Sequence, residues 1–254
     1  MTDSVGLTEQ ERYLFDLHGY VVRRGVLSVN EVQALNVAVD LLALPEPAAP
    51  IMSQRFSRHL SSARCFRDLI DHRAVLDVMI ELCGEYVRLD HAYGIAMNPG
   101  QSGLGLHGGG TPHDPAQYYE VRAGRMYNGL VSAQWALVDH RPGDGGFGCI
   151  PGSHRASFPL PSPVPLDWVT EVTLTAGDVV IFTEALTHCT LAWRGSGPRR
   201  TLLYKYAPGH LAWGKNYVED LSELAASGAL TPRQRVLMDP PSVSPRQSLL
   251  AYRD

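Results

Sequence analysis

Two histidines and a basic pair carry the chemistry that this chain of 254 residues could perform. His107 stands in GLGLHGGGTPHD, after a short apolar run and before three glycines, so it belongs at a strand end facing a loop. His188 follows the apolar run 179–182 and the linker TEALT, again just beyond a strand. Imidazole nitrogens at such positions suit a transition metal. The two are far apart in sequence and meet only if the chain closes a sheet on itself. On spacing alone they read equally well as structural histidines. Arg199 and Arg200 open the apolar run 201–206. A guanidinium there can hold a carboxylate through two parallel hydrogen bonds, or end in a surface ion pair.

The remaining histidines have duller settings. His18 ends a helix, where a cation suits the dipole. His140, His154 and His210 sit in Pro-Gly turns, and His59, His72 and His91 have no partner at ligand spacing. Tyr118, Tyr119 and Tyr127 could line a lid or stack on a ring, or pack in the core. Arg55, Arg58, Arg64 and Arg67 cluster in RFSRHLSSARCFR, which could hold a phosphate or be solvated charge.

Elements that would position these residues are legible in outline. Thr8-Glu9-Gln10-Glu11 and Ser28-Val29-Asn30-Glu31 match the capping box, so each opens a helix. His18-Gly19 closes the first, a short strand follows at 20–22, and LPEPAAP breaks the second after Ala43. A third helix is expected over 71–83, stopped by Gly84. Beyond it the chain turns to short apolar segments punctuated by Gly, Pro and Asp. Strands are expected at 87–97, 104–106, 129–137, 147–150, 169–174, 179–182 and 201–206, which argues for a barrel or sandwich. Thr231-Pro232 caps a last helix over 232–238. The expected organisation is one domain: helices over about 8–84, a β core over about 87–211, and a helical tail over about 212–254.

Composition excludes several classes. Charged residues are 19 % and hydrophobic ones 44 %, a globular balance. Net charge is −4 with no long basic run, so a nucleic-acid polymer is not the expected partner. No stretch approaches a membrane span, and the polar start MTDSVGLTEQER lacks an apolar signal region, so a cytoplasmic location is expected. Four dispersed cysteines without a CxxC pair read as buried thiols. Oligomeric state is not legible.

From Phe15 to about Leu211 the chain resembles the phytanoyl-CoA dioxygenase family of iron(II)/2-oxoglutarate oxygenases. The pieces are Gly19-Tyr20-Val21-Val22, Trp135-Ala136-Leu137-Val138-Asp139 and Pro142-Gly143-Asp144-Gly145-Gly146-Phe147. Then come Ile150-Pro151-Gly152-Ser153-His154-Arg155, Ala176-Gly177-Asp178-Val179-Val180-Ile181-Phe182, Thr187-His188 and Arg199-Arg200-Thr201-Leu202-Leu203. The resemblance implies a mainly β fold with flanking helices, the double-stranded β-helix or cupin-like jelly roll. It implies Fe(II), 2-oxoglutarate and O2 as cofactor and cosubstrates, with His107 and His188 as metal ligands. It places the cosubstrate carboxylate on Arg199 (Arg200 if the register slips by one), with Thr190 and Trp135 in the same pocket. The protein's part is positioning; the metal supplies the difficult chemistry.

One position departs from the pattern. The family motif is His-x-Asp, and here position 109 is Gly109. Asp114, Glu120, Asp139, Asp144 and Glu184 are alternative carboxylates, none at an obvious spacing. The His-x-Gly form is similar to that of the non-haem iron halogenases, where chloride binds in place of the carboxylate. That resemblance implies a halogenase with Gly109 as the halide site. A hydroxylase of the same cofactors and a non-catalytic binding relative are the alternatives. It further suggests a small soluble substrate such as a nucleotide monophosphate (deoxyadenosine monophosphate in nucleoside-antibiotic biosynthesis), with Arg55, Arg58, Arg64, Tyr118 and Tyr119 as candidate contacts.

Overall fold

The computed structural model describes residues 6–45, 53–214 and 223–252. Both N-terminal capping boxes form. Thr8 Oγ1 accepts from the Glu11 amide at 3.1 Å and the Glu11 carboxylate accepts from the Thr8 amide at 2.8 Å, starting α1 (Glu9–His18). Ser28 and Glu31 repeat the exchange at α2 (Val29–Leu41). Gly19, at φ 83°, ends α1 and feeds β1 (Tyr20–Arg23). The expected break in LPEPAAP lies largely outside the described residues.

The next stretch differs from the sequence reading. It contains β2 (Gln54–Phe56) and two short helices, α3 (His59–Ser62) and α4 (Arg64–Asp68), before α5 (Arg73–Cys83). After β3 (Arg88–Met97) comes a second unexpected piece, a hairpin of β4 (Tyr119–Arg122) and β5 (Arg125–Asn128). Its turn places Ala123 and Gly124 at positive φ, the conformation a two-residue hairpin loop requires. The core then runs through β6 (Val131–Ala136), β7 (Gly146–Cys149), β8 (Thr170–Glu171), β9 (Val179–Thr183), β10 (His188–Leu191) and β11 (Arg199–Ala207). Thr231 caps α6 (Pro232–Leu237), with proline in its first turn. The strand expected over 104–106 is reduced to an isolated antiparallel bridge between His107 and His188.

Two antiparallel sheets build the barrel. The larger has the order β1-β9-β6-β11-β3-β2 and the smaller the order β10-β7-β8. This is the cupin-like jelly roll with flanking helices. The two faces of the large sheet do different work, because successive side chains alternate. Along β11, Leu202, Tyr204 and Tyr206 face the helices; the Tyr204 hydroxyl donates to the Phe66 carbonyl at 2.7 Å and that of Tyr206 to Ile70 at 2.8 Å. Arg199, Thr201, Leu203 and Lys205 face the barrel interior, opposite Met97, Ile95, Tyr93 and His91 of β3. Interior apolar residues gather in two patches, one around Phe147, Phe182 and Leu186, the other around Tyr93, Met97, Leu203 and Trp193.

Candidate active site

His107 and His188 meet. They exchange both backbone hydrogen bonds at 2.9 Å, and their ring centroids are 4.2 Å apart. The His107 Nδ1 lies 2.9 Å from the Gly105 carbonyl and the His188 Nδ1 2.7 Å from the Leu186 carbonyl. A carbonyl only accepts, so each Nδ1 carries the proton and each Nε2 keeps its lone pair. That is the tautomer and orienting bond a metal-binding imidazole needs. His188 is buried against Phe147 and Phe182, whereas His107 is exposed at the rim. Burial holds the His188 pKa down to about 4, with Glu184 opposing and His107 assisting, so the ring is neutral at physiological pH.

Arg199 and Arg200 separate cleanly. Arg200 points outward and bonds Asn36 and Asp40 of α2. Arg199 points inward, is 1 % exposed, and meets no carboxylate among the described residues; its Nη1 lies 3.5 Å from Met97 Sδ and its Nε has no partner. Burial lowers its pKa to about 10, which still leaves a cation. An unpaired buried guanidinium is costly unless an anion joins it. Beside it stands His140, 1 % exposed, with neither ring nitrogen partnered among the described residues and its ring against Trp193 at 5.3 Å. Burial, with Arg199 adding repulsion, holds His140 at about 3. Both side chains converge over Gly146: a Cβ there would stand 3.0 Å from His140 Nδ1 and 3.3 Å from Arg199 Nε. The cradle has the donors and charge of a carboxylate site. Thr190, two residues along β10 from His188, is paired with Phe147 and shares the face of that histidine.

Other candidates are placed elsewhere. Trp135 does not line the cosubstrate pocket. It is fully buried on the helix side of β6, edge-on to His72 at 5.4 Å, because its position in the strand alternation is opposite to that of Gln134 and Ser132. Arg58 and Arg64 also miss the barrel. Arg64 pairs with Asp68 on the exposed side of α4, and Arg58 sits at the turn before α3, over the helical layer. Tyr119 is tied by its hydroxyl to Asp16 and packs on His154 and Phe15, while Tyr118 packs with Leu130 and Leu211. Arg55 alone of the basic cluster is brought to the interior face. It pairs with Ile95 and lies 4.0 Å over the Tyr93 ring.

Of the alternative carboxylates, Asp114 caps its own loop at Ala116 and Gln117, Asp144 accepts from the Arg141 amide, Asp139 accepts from Ala176, and Glu120 is on the β4 hairpin. Glu184 is in the site. Its Oε1 accepts from Ser132 at 2.5 Å and from Lys205 at 2.8 Å, and its Oε2 lies 3.9 Å from His188 Nε2. Burial would raise this carboxyl, but Lys205, His188 and Ser132 outweigh it and hold it at about 2. Lys205, in turn, lies 5.8 Å from the Tyr93 ring. His140, Lys205 and Tyr93 were not singled out by sequence. The period-two alternation Arg199, Thr201, Leu203, Lys205 was the available signal for the lysine.

The family model described as phytanoyl-CoA dioxygenase (PhyH) matches residues 15–201. The chain belongs to the PhyH family. Members of this family are iron(II)/2-oxoglutarate-dependent oxygenases, and the orphaned donors over Gly146, together with the two imidazoles whose Nδ1 atoms are held by backbone carbonyls, fit such a pair of groups. Among solved structures, HygX from Streptomyces hygroscopicus with nickel and 2-oxoglutarate bound is 25 % identical, with a TM-score of 0.73 over 83 % of this chain and 90 % of that one. HygX with nickel, 2-oxoglutarate and hygromycin B bound is 26 % identical, with a TM-score of 0.72 over 82 % and 90 %. The non-haem α-ketoglutarate-dependent carbocyclase SnoK from nogalamycin biosynthesis shares the fold at 17 % identity and a TM-score of 0.63, over 80 % and 85 %. No curated protein matches the chain. Among the described residues no helix is long and apolar enough to cross a membrane.

Proposed function

We propose that this PhyH-family protein oxidises a C–H bond of a small, anionic metabolite, using Fe(II), 2-oxoglutarate and O2. The observation that carries the reading is the pairing of two features in one barrel: two imidazoles whose Nδ1 atoms are held by backbone carbonyls, and a buried, uncompensated Arg199. In this reading His107 and His188 hold the iron. Arg199 and His140 receive the far carboxylate of 2-oxoglutarate over Gly146, and Thr190 flanks it. When bound, the iron supplies oxygen activation coupled to decarboxylation of 2-oxoglutarate. The chain's own work is to orient both imidazoles through their Nδ1 bonds to backbone carbonyls, keep His188 neutral by burial, offer fixed donors to the cosubstrate, and keep water from the reacting centre with Phe147, Phe182 and Tyr93.

Substrate charge is argued from Arg55. It stacks on Tyr93 and makes no hydrogen bond or ion pair among the described residues, on the interior face and within reach of the field of Lys205. A phosphate or carboxylate on the substrate suits that position. A nucleotide monophosphate remains compatible, resting on Arg55 and on stacking at Tyr93 rather than on Arg58, Arg64, Tyr118 or Tyr119. The hygromycin B bound to HygX supports a small-molecule substrate, not a nucleic-acid polymer or a membrane.

Halogenation is the second reading. Gly109 favours it, since the segment after His107 brings no carboxylate at that position and chloride could coordinate there. Purified protein loaded with Fe(II) and 2-oxoglutarate, presented with nucleotide monophosphates and other phosphorylated metabolites, distinguishes the outcomes by mass. A gain of one oxygen, with or without chloride, supports oxygenation; a gain of chlorine only when chloride is supplied supports halogenation. Arg199→Ala and His140→Phe are each expected to raise the 2-oxoglutarate requirement by about tenfold or more, the cost of one buried charge-assisted contact. Unaltered cosubstrate dependence in both would overturn the pocket.

A further inference from the structure

We infer that the buried pair of Glu184 and Lys205 belongs to the substrate site, and that Glu184 Oε2 receives a hydroxyl of the substrate. The inference rests on the reading of a small anionic substrate above and goes past it, since it adds a second chemical requirement to the anion. Three observations converge. First, the two oxygens of Glu184 are used unequally. Oε1 accepts from Ser132 and Lys205. Oε2 makes no hydrogen bond among the described residues, yet it is not one of the polar atoms sealed from solvent without a partner, so it stays reachable from the barrel space. A nearly buried carboxylate oxygen without a donor is costly.

Second, neither neighbour of Oε2 can satisfy it. His188 Nε2 is 3.9 Å away, but the proton of that ring is on Nδ1, bound to the Leu186 carbonyl, so two acceptors face each other. The cosubstrate does not serve either. Ionised 2-oxoglutarate has no hydrogen-bond donor, and its cradle at Arg199 lies at the other end of β11, about 20 Å along the strand from Lys205. Third, the surroundings choose the donor. Lys205 already neutralises Glu184, and Arg55 stands 4.0 Å from the centre of the same Tyr93 ring that Lys205 approaches at 5.8 Å. A further ammonium would meet both cations, whereas a neutral hydroxyl would not. Metal ligation is not the task of Glu184, which stands beside one imidazole only; among the described residues no three His, Cys, Asp or Glu side chains gather at metal-holding distances. The substrate class is therefore an anionic polyol, a sugar phosphate or nucleotide, with its anion on Arg55 and a hydroxyl on Glu184 beside the reacting C–H.

The test is calorimetry on protein loaded with Ni(II) and 2-oxoglutarate, comparing adenosine monophosphate with its 2′-deoxy and 3′-deoxy forms. One deoxy form should bind about tenfold or more weakly than the parent, the effect of losing a hydrogen bond to a charged acceptor. Glu184→Leu/Lys205→Met removes both charges together, so that neither is stranded. It should bind the parent as weakly as that deoxy form and no longer distinguish the two, with its 2-oxoglutarate affinity unchanged as the sign of an intact barrel. Equal binding of all three nucleotides by the wild type, or discrimination kept in the double variant, overturns the inference. Arg55→Ala separates the two levels: it should weaken all three nucleotides alike. If it weakens none while the wild type still discriminates, the anion reading fails and the role of Glu184 stands. If no nucleotide binds more tightly than inorganic phosphate, crystals of the wild-type protein soaked in glycerol decide. A glycerol hydroxyl about 2.5–3.0 Å from Glu184 Oε2 sustains the assignment, and an Oε2 covered by a protein donor or met by water alone overturns it.

Discussion

Gly109 is where residue identity and backbone geometry pull in different directions. Its lack of a side chain invites an anion, yet its φ of +100° suits a residue without Cβ for reasons of chain path alone. The two accounts separate experimentally. Gly109→Ala is expected to destabilise the fold by about 1–2 kcal/mol, the cost of a left-handed conformation for an L-residue, while leaving Co(II) affinity unchanged. Gly109→Asp should be destabilised likewise and gain no metal affinity. A gain of about tenfold in Gly109→Asp would instead mean that the position looks onto the metal and that the halide reading is the better one. Arg199 teaches a companion lesson. Its alternation with Arg200 decides which guanidinium enters the barrel, and Arg200, tied to α2, has an ordinary structural task.

At the scale of elements, much was legible because local signals are strong. The two capping boxes, Gly19 and the Thr231-Pro232 cap appear where the sequence puts them. The hairpin at 119–128 and the short β2 escaped, since each is too brief for a periodic pattern to stand out. Trp135 was misplaced by a subtler failure. In a strand buried on both faces, hydrophobicity does not mark which residues look inward, so only the pairing register assigns Trp135 to the helices and Gln134 to the barrel. The candidate site was half legible. His107, His188, Thr190 and Arg199 follow a motif, but Glu184, Lys205 and His140 are joined only by long-range pairing. Helices and sheet are themselves fastened by Tyr204 and Tyr206, whose hydroxyls reach backbone carbonyls at 66 and 70. Tyr204→Phe should lower stability by about 1 kcal/mol in urea melts, leaving the Phe66 carbonyl with only the long 3.4 Å bond from the Leu69 amide. No measurable change would mean that apolar packing alone holds α4.

The whole molecule stores several neutral histidines in its interior. Burial holds His59 at about 4, His140 at about 3 and His154 at about 4, whereas in the unfolded chain each takes up a proton near the ordinary value of about 6.5. The unfolded state therefore binds more protons as pH falls. Stability is full above about pH 6.5, declines through the window down to pH 3–4, and levels off below it. Urea midpoints of metal-free protein should fall steeply between pH 7 and pH 5. His59→Leu removes one such group from a fully buried site between Phe56, Phe66 and Tyr204, and should flatten the slope by about 1.4 kcal/mol per pH unit inside the window. A slope identical to that of the wild type would show that this ring is not the proton acceptor.

The bridge between His107 and His188 has a consequence beyond ligation. One rung of the barrel wall is made by these two residues, through both amides and both carbonyls, and the segment carrying His107 is attached to β10 by that rung and by the Thr190 amide on the Leu104 carbonyl. Whatever occupies both rings therefore binds the closed wall and not the parted one. By linkage, occupancy stabilises closure in proportion to the logarithm of ligand concentration over its dissociation constant. On the iron-site reading proposed above, the metal would be a fastener as well as a reagent, and its removal would loosen the seam between the His107 segment and β10.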